Sequence, residues 1–447
     1  MTERPLLVDR SLMVEPDNPE LVQALDYLES HVDFEKSSLR RRAPTLERMQ
    51  RLCALLGDPQ RAYPVVHITG TNGKGSTARM VSALLAAHGL SVGTYTSPHL
   101  EHLNERLVRD GVPIDDDSLA AVLGDLQSYE DHLGVTLTHF EVLTAAALRW
   151  LADVAVDVAV VEVGVGGRWD STNVVDAQVA VVTNVGLDHA EVIGPTRKEI
   201  AEEKAGIIKA GSVVVLGETD PTLVPTFESR PSLEVWLRDR DFGCERNVVA
   251  LGGRVVDLRT PGHVSEDVFM PLHGPHQGDN AACALAAVEA FFGRALDDRV
   301  VTEAFAGVLV PGRFEIVRRH PFVVLDGAHN PDGARALRAT LDEDFAGREP
   351  EVLVVGFTAG RDPSEMLAIL EAQRARLVLA CPAPHPRSLP PAEVVAAAGR
   401  LGARAEVAPS VPAAMARAME AVSDDESILV TGSLYVVGDA RRVSSHR

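Results

Sequence analysis

The chain has 447 residues, 46% hydrophobic and 24% charged, with a formal net charge of −21; that size suits two or three soluble domains with ample cores. The acidic balance argues against nucleic acid as a main partner, because such binding leans on Lys and Arg, and it leaves any anionic substrate to be met by local cations or metal. Cys53, Cys244, Cys283 and Cys381 form no C-x-x-C pair, so neither a zinc site nor a disulfide framework is indicated.

The N-terminus shows no apolar run of signal-peptide length. The longest apolar run, Val154 to Val165, is broken by Asp157 and Glu162, so no membrane span is expected and a cytoplasmic location follows. Residues 1–63 read as polar helices, with Leu21, Leu25 and Leu28 and then Leu46, Met49 and Leu52 at helical spacing. The patch Lys36, Arg40, Arg41 and Arg42 reads first as a solvated helix flank, with contact to an anionic substrate the alternative.

From residue 64, Val-rich runs alternate with helical segments. Strands are expected at 64–69, 91–95, 157–163, 178–184 and 212–216, and helices at 75–88, 117–132, 140–152 and 196–208. Residues 231–272 change to short strands and turns, an antiparallel patch, before a helix at 276–292. Pro311-Gly312-Arg313 reads as a hinge. Beyond it come strands 322–326, 351–357, 376–381 and 427–431, with helices 331–341, 363–373, 391–401, 411–422 and 433–442. The expected fold is α/β: a P-loop parallel-sheet ATPase domain with a small antiparallel patch over residues 1–310, then a smaller Rossmann-like C-terminal α/β domain over 311–447.

The first strand ends in Gly70-Thr71-Asn72-Gly73-Lys74-Gly75-Ser76-Thr77. Strand, glycine turn, lysine, hydroxyl and helix is the layout of a phosphate cradle, in which glycines let backbone N–H groups approach and a helix N-terminus adds partial positive charge. The spelling is a variant of the common P-loop, with the hydroxyl one residue later. Lys74 can reach β- and γ-phosphates, and Ser76 or Thr77 can ligate Mg²⁺. Glu162, at a strand's carboxyl end before Gly164-Val165-Gly166-Gly167-Arg168-Trp169-Asp170, is placed like an acidic Mg²⁺ ligand. Asp188-His189 ends the next strand, and His189 is a candidate for a second metal. Lys204 reads by periodicity as an ordinary surface pair among acids. His276 and Asn280 share a helix face suited to a purine or ribose, with N-capping an equal reading. Asp326 to Pro331 and Thr431 to Tyr435 form two further strand-end clusters.

These strings together resemble the folylpolyglutamate synthase/dihydrofolate synthase family, within the Mur-ligase-like ATP-dependent amide ligases. The P-loop and the Glu162–Asp170 run carry the likeness, with Thr96-Ser97-Pro98-His99-Leu100, Gly186-Leu187-Asp188-His189, Glu203 to Lys209, Pro311 to Glu315 and Asp326 to Pro331. The resemblance implies ATP, L-glutamate and a dihydropteroate or reduced folate as small-molecule substrates of a monomer. It places triphosphate on Lys74 and its loop, one Mg²⁺ on Ser76 and Glu162, and a second on Glu162 and His189. Lys204 matches a carbamylated lysine, which reverses its surface reading, and a monovalent cation is compatible. Asn280, Arg313 and Asp326 match nucleotide contacts. Ser97, Pro98, Phe140 and Asp170 fall on the pterin side, His329 and Ser433 on the glutamate side, and His99 joins the substrate contacts. Two segments depart from the family pattern, Phe357 to Asp362 and Lys36 to Thr45. A cell-wall Mur ligase and a non-catalytic nucleotide-binding regulator are the alternatives.

Overall fold

The computed structural model describes residues 18–33, 45–188 and 193–445. The Lys36–Arg42 patch and His189 lie outside these residues. The first sheet is built from β1 (Val65–Thr69), β2 (Val92–Tyr95), β3 (Leu107–Arg109), β4 (Val112–Pro113), β5 (Val158–Glu162), β6 (Val179–Val182), β7 (Val213–Leu216) and β8 (Glu234–Leu237). Their order is β4-β3-β2-β5-β1-β6-β7-β8. All pairings from β2 to β8 are parallel, whereas β3 and β4 add an antiparallel edge.

β-branched runs suit these strands because both faces are covered. On one face, Met80, Val81 and Leu84 of helix Lys74–Ala87 meet Leu285 and Val288 of helix His276–Phe292 in one core. On the other, Leu123, Leu143 and Leu148 from helices Asp116–Leu133 and His139–Asp153 close a second core with Leu28 and Leu52. Burying each such side chain contributes about 1.5–3 kcal/mol.

A second, antiparallel sheet follows: β9 (Gly243–Ala250), β10 (Gly253–Thr260) and β11 (His263–Met270), with β10 central. The antiparallel patch expected over 231–272 is therefore narrower than that span, because β8 pairs in parallel with β7 and extends the main sheet.

The third sheet comprises β12 (Glu315–Arg319), β13 (Phe322–Leu325), β14 (Val352–Val355), β15 (Leu377–Ala380), β16 (Ala405–Val407) and β17 (Ser427–Thr431). Its order, β12-β13-β17-β14-β15-β16, is parallel except for β12. Helices cover both faces and make two further cores.

The lobe that carries the first two sheets meets the lobe of the third sheet at three places. Buried Arg254 of β10 pairs with Asp344 at the end of helix Pro331–Asp344, and the amide of Gly274 donates to the same carboxylate at 3.0 Å. Arg441, in the last helix, joins Glu315 to Glu101. On the third side, Asn330 donates to Asn72 at 3.0 Å and to Asp188 at 2.9 Å. No described helix is long and apolar enough to cross a membrane.

Candidate active site

Parallel register brings the chemistry to one edge. Ile68 of β1 lies opposite Glu162 of β5, and Thr69 opposite Val182 of β6, so the segments leaving these strands share the carboxyl end of the sheet, where such folds bind ligands. Gly70 leaves β1 with φ +154°, and a side chain there would collide with Thr183 Oγ1. Gly73 (φ +83°) leaves room for the Asn280 carboxamide, whose oxygen lies 2.3 Å from where a Cβ would stand. Only glycine satisfies both demands.

The loop is held from the side. The amide of Thr71 donates to the Asn184 carbonyl at 3.1 Å, and that of Asn72 to the Asn184 side chain at 3.0 Å. Thr77 N–H closes the first helical bond onto Gly73. The amides of Gly73, Lys74, Gly75 and Ser76 have no backbone partner among the described residues, as expected of a helix N-terminus open to an anion. Lys74 Nζ donates to the carbonyls of Gly70 (3.2 Å) and Thr71 (3.3 Å), which folds it over its own loop.

Glu162 is buried beside this turn, and the Ser97 amide donates to its Oε2 at 3.1 Å. Burial pushes its carboxyl above the usual carboxylate range, while Lys74, the Ser97 N–H, Arg313 and Arg79 oppose that rise. Ser76 is buried at the same helix start, with Thr77 fully enclosed. A carboxylate and a hydroxyl are hard oxygen donors of the kind Mg²⁺ prefers. Among the described residues no cluster of three or more His, Cys, Asp or Glu side chains forms a metal site.

Lys204 is 3% exposed, which corrects its reading as a surface pair: helix Arg197–Lys204 turns its last residue inward, whereas periodicity showed only the acids around it. Burial pulls its ammonium down to about 7, Lys74 adds to the fall, and Asp188, Glu203 and Asp170 oppose it.

The glycine run after β5 is tied from three directions. Thr69 Oγ1 donates to the Gly166 carbonyl at 2.7 Å, and Arg168 N–H to the Glu203 carbonyl at 2.8 Å. Asp170, with no exposed surface, accepts from the amides of Val165 and Thr172 at 3.0 Å each. The Phe140 ring covers Gly164 and stacks on Tyr95 with centroids 6.2 Å apart. His99 accepts from buried Arg106 at 3.0 Å, and Pro98 precedes it in the same loop.

The smaller lobe supplies the opposite wall. Arg313 donates to the Gly312 carbonyl and lies against Gly327. Asp326 accepts from the amides of Phe314 and Ala328, at 2.8 Å each, tying the hinge to the end of β13; burial raises its carboxyl and Arg313 opposes that. Asn280 donates to Gln277, and helix His276–Phe292 has no side-chain N-cap, so N-capping is not what Asn280 or His276 does. Burial holds the His276 imidazolium down at about 4, with Arg313 adding to the effect. His329 Nε2 stands 3.7 Å from Asp188 Oδ2, and Arg361 pairs with the other Asp188 oxygen. These residues line a cavity of 580 Å³ between the lobes, with Arg197, Asp332 and Arg335. Ser433 is buried at the start of the last helix and accepts from Tyr435 N–H at 3.2 Å.

Sequence reasoning missed Arg79 and Arg361. Arg79 follows Gly75 by four residues, a spacing that could have flagged it. The Arg361–Asp188 pair joins positions 173 residues apart, for which the sequence carries no local signal.

A P-loop sheet facing a Rossmann-like lobe across a polar cleft defines a Mur-type ligase: the Mur ligase middle domain matches residues 68–288, and the Mur ligase glutamate ligase domain residues 312–434. The dihydrofolate synthase/folylpolyglutamate synthase of Mycobacterium tuberculosis is 39% identical over 437 residues, covering 89% of each chain. The folylpolyglutamate synthase of Lacticaseibacillus casei is 36% identical, covering 88% of this chain and 93% of that protein. Crystal structures of the M. tuberculosis folylpolyglutamate synthase complexed with ADP and AMPPCP superpose with a TM-score of 0.88 at 38% identity, covering 96% and 99% of the two chains. E. coli FolC in complex with DHPP and ADP gives 0.83 at 31%, covering 95% and 97%. The chain belongs to the folylpolyglutamate synthase/dihydrofolate synthase family of amide-forming ligases.

Proposed function

We propose that this protein is a cytoplasmic, monomeric ATP-dependent ligase joining L-glutamate to the carboxylate of a dihydropteroate or reduced folate, with its nucleotide domain within residues 1–310 and its glutamate ligase domain within 311–447. The observation that carries this reading is the open row of amides from Gly73 to Ser76, set beside buried Glu162 and faced by Arg313 and Asp326 from the other lobe.

The acceptor carboxylate attacks the γ-phosphorus of ATP, and ADP leaves. The glutamate amine then attacks the acyl phosphate, and inorganic phosphate leaves. Two anions must approach each other in the first step, so positive charge has to be fixed in advance. Lys74 and the loop amides hold the triphosphate, Arg313 reaches it from the hinge, and Asn280 stands beside the loop for the nucleoside. Ser76 and Glu162 would hold Mg²⁺, with His189 completing a second site. The ion, when bound, neutralises phosphate charge. Phe140, Ser97, Pro98 and His99 border the acceptor, while Asp170 shapes that wall through the glycine run. His329 and Ser433 face the incoming glutamate. Contacts between the lobes exclude water from the labile acyl phosphate. The low Lys204 ammonium favours the neutral amine that CO₂ captures as a carbamate, turning a cation into an anion beside Lys74.

ADP release with dihydropteroate or tetrahydrofolate, with and without glutamate, tests the reading. Glutamate-dependent turnover is expected with at least one acceptor, and its absence with both refutes it.

A further inference from the structure

Helix Lys74–Ala87 presents Gly75, Arg79 and Ser82 on one face, at helical spacings of four and three. The Ser82 hydroxyl meets Thr94 of β2 at 2.7 Å, and a side chain built at Gly75 would meet the Glu162 carboxylate at 3.5 Å. This face therefore looks toward β2 and β5, away from Asn280. A long helical side chain covers the turn N-terminal to its own Cα, so Arg79 reaches back over Gly75. It is half-buried, and Glu105, Glu162 and, from the hinge, Arg313 are its charged neighbours.

No hydrogen bond or ion pair engages the Arg79 guanidinium among the described residues. Its basic neighbour Arg313 donates to the Gly312 carbonyl, and the site's other cations are engaged elsewhere, Arg106 with His99 and Lys74 with its own loop. A guanidinium that has given up part of its hydration, stays charged at every working pH and keeps its planar donor fork open is suited to a carboxylate or phosphoryl anion.

We propose that Arg79 is a substrate-contacting residue that grips the anion formed between nucleotide and acceptor, namely the acceptor carboxylate and the acyl phosphate it becomes. The loop amides and Asn280 serve the nucleotide from one side of Glu162. Arg79 stands on the other, on the face toward β2 and β5, with the Glu105 carboxylate among its charged neighbours. As the carboxylate oxygen bonds to the γ-phosphorus and the bond to the ADP oxygen breaks, charge moves toward the Arg79 fork. When the glutamate nitrogen bonds to the acyl carbon, phosphate departs with the electron pair of the C–O bond and takes up a proton from the amine. This assignment rests on the ligase reading above.

The test uses the full chain with Arg79→Gln and Arg79→Lys, checked by circular dichroism for folding. Arg79→Gln is expected to lower kcat/KM for the acceptor about 100-fold while calorimetric ADP affinity changes less than about twofold, the pattern of a lost contact to the reacting anion. Arg79→Lys keeps the charge without the fork and recovers about tenfold of that loss. Arg79→Gln with wild-type kcat/KM overturns the assignment. So does an equal loss in ADP affinity and acceptor turnover, which would place Arg79 on the nucleotide. If Arg79→Gln does not fold, Arg79→Lys decides alone: a reduced acceptor kcat/KM with intact ADP affinity supports the assignment, and wild-type behaviour ends it. A wild-type enzyme without glutamate-dependent turnover is a separate outcome, which fails the ligase reading and the assignment with it.

Discussion

Replacing Lys204 by Met should inactivate the enzyme and stabilise the protein, and the stabilisation should depend on pH in a fixed direction. The buried amine titrates at about 7 against an ordinary 10.5. Below about 7 both folded and unfolded chains hold the proton; between the two values only the unfolded chain does. Stability of the wild type therefore rises with pH across that window, by about 1.4 kcal/mol per unit. Methionine carries no proton in either state, so its advantage is largest at neutral pH. It should shrink by about 2.7 kcal/mol between about pH 7.5 and about pH 9.5. Urea unfolding of both proteins in CO₂-free buffer at the two pH values measures the difference. Stability curves that run parallel would refute the buried-amine argument, whatever the effect on activity.

Lys74→Ala removes the cation folded over the phosphate loop, and ADP release should fall at least about 1,000-fold at saturating acceptor. Arg254→Ala takes the guanidinium from the Asp344 carboxylate, 1% exposed, leaving it to His273 and the Gly274 N–H, and should cost about 3–5 kcal/mol in urea unfolding. Arg361→Ala opens the Asp188 contact across the 580 Å³ cavity; steady-state kinetics should show KM for glutamate rising about tenfold, with KM for ATP unchanged. Gly164→Ala puts a methyl 2.6 Å from the Phe140 ring, and should raise the acceptor KM about tenfold without altering ADP affinity by calorimetry.

What was legible in the sequence was what is local. The strand–glycine–lysine–helix run declares itself because a phosphate cradle is contiguous in the chain, and the Val-rich strands declare themselves because both faces are buried. β12 went unseen because Glu315, Arg318 and Arg319 make it read as polar, and β3, β4 and β16 are too short for a period to show. The inward turn of Lys204 was invisible because exposure is set by what packs on a helix. Arg254 with Asp344 and Arg361 with Asp188 meet only after the two lobes have docked, so no window of sequence contains either pair.

Most main-chain donors of the segment leaving β2 are already committed. Ser97 N–H is given to Glu162, and those of Leu100, Glu101 and His102 all go to the Glu105 carboxylate, at 2.8–2.9 Å. On the proposed reading, the triphosphate is met in part by the backbone amides from Gly73 to Ser76, which mutation cannot readily alter, alongside the Lys74 side chain. On the same reading, the acceptor is met by side chains, which mutation exchanges one at a time. On that reading, single substitutions would alter acceptor preference more readily than the requirement for a nucleoside triphosphate.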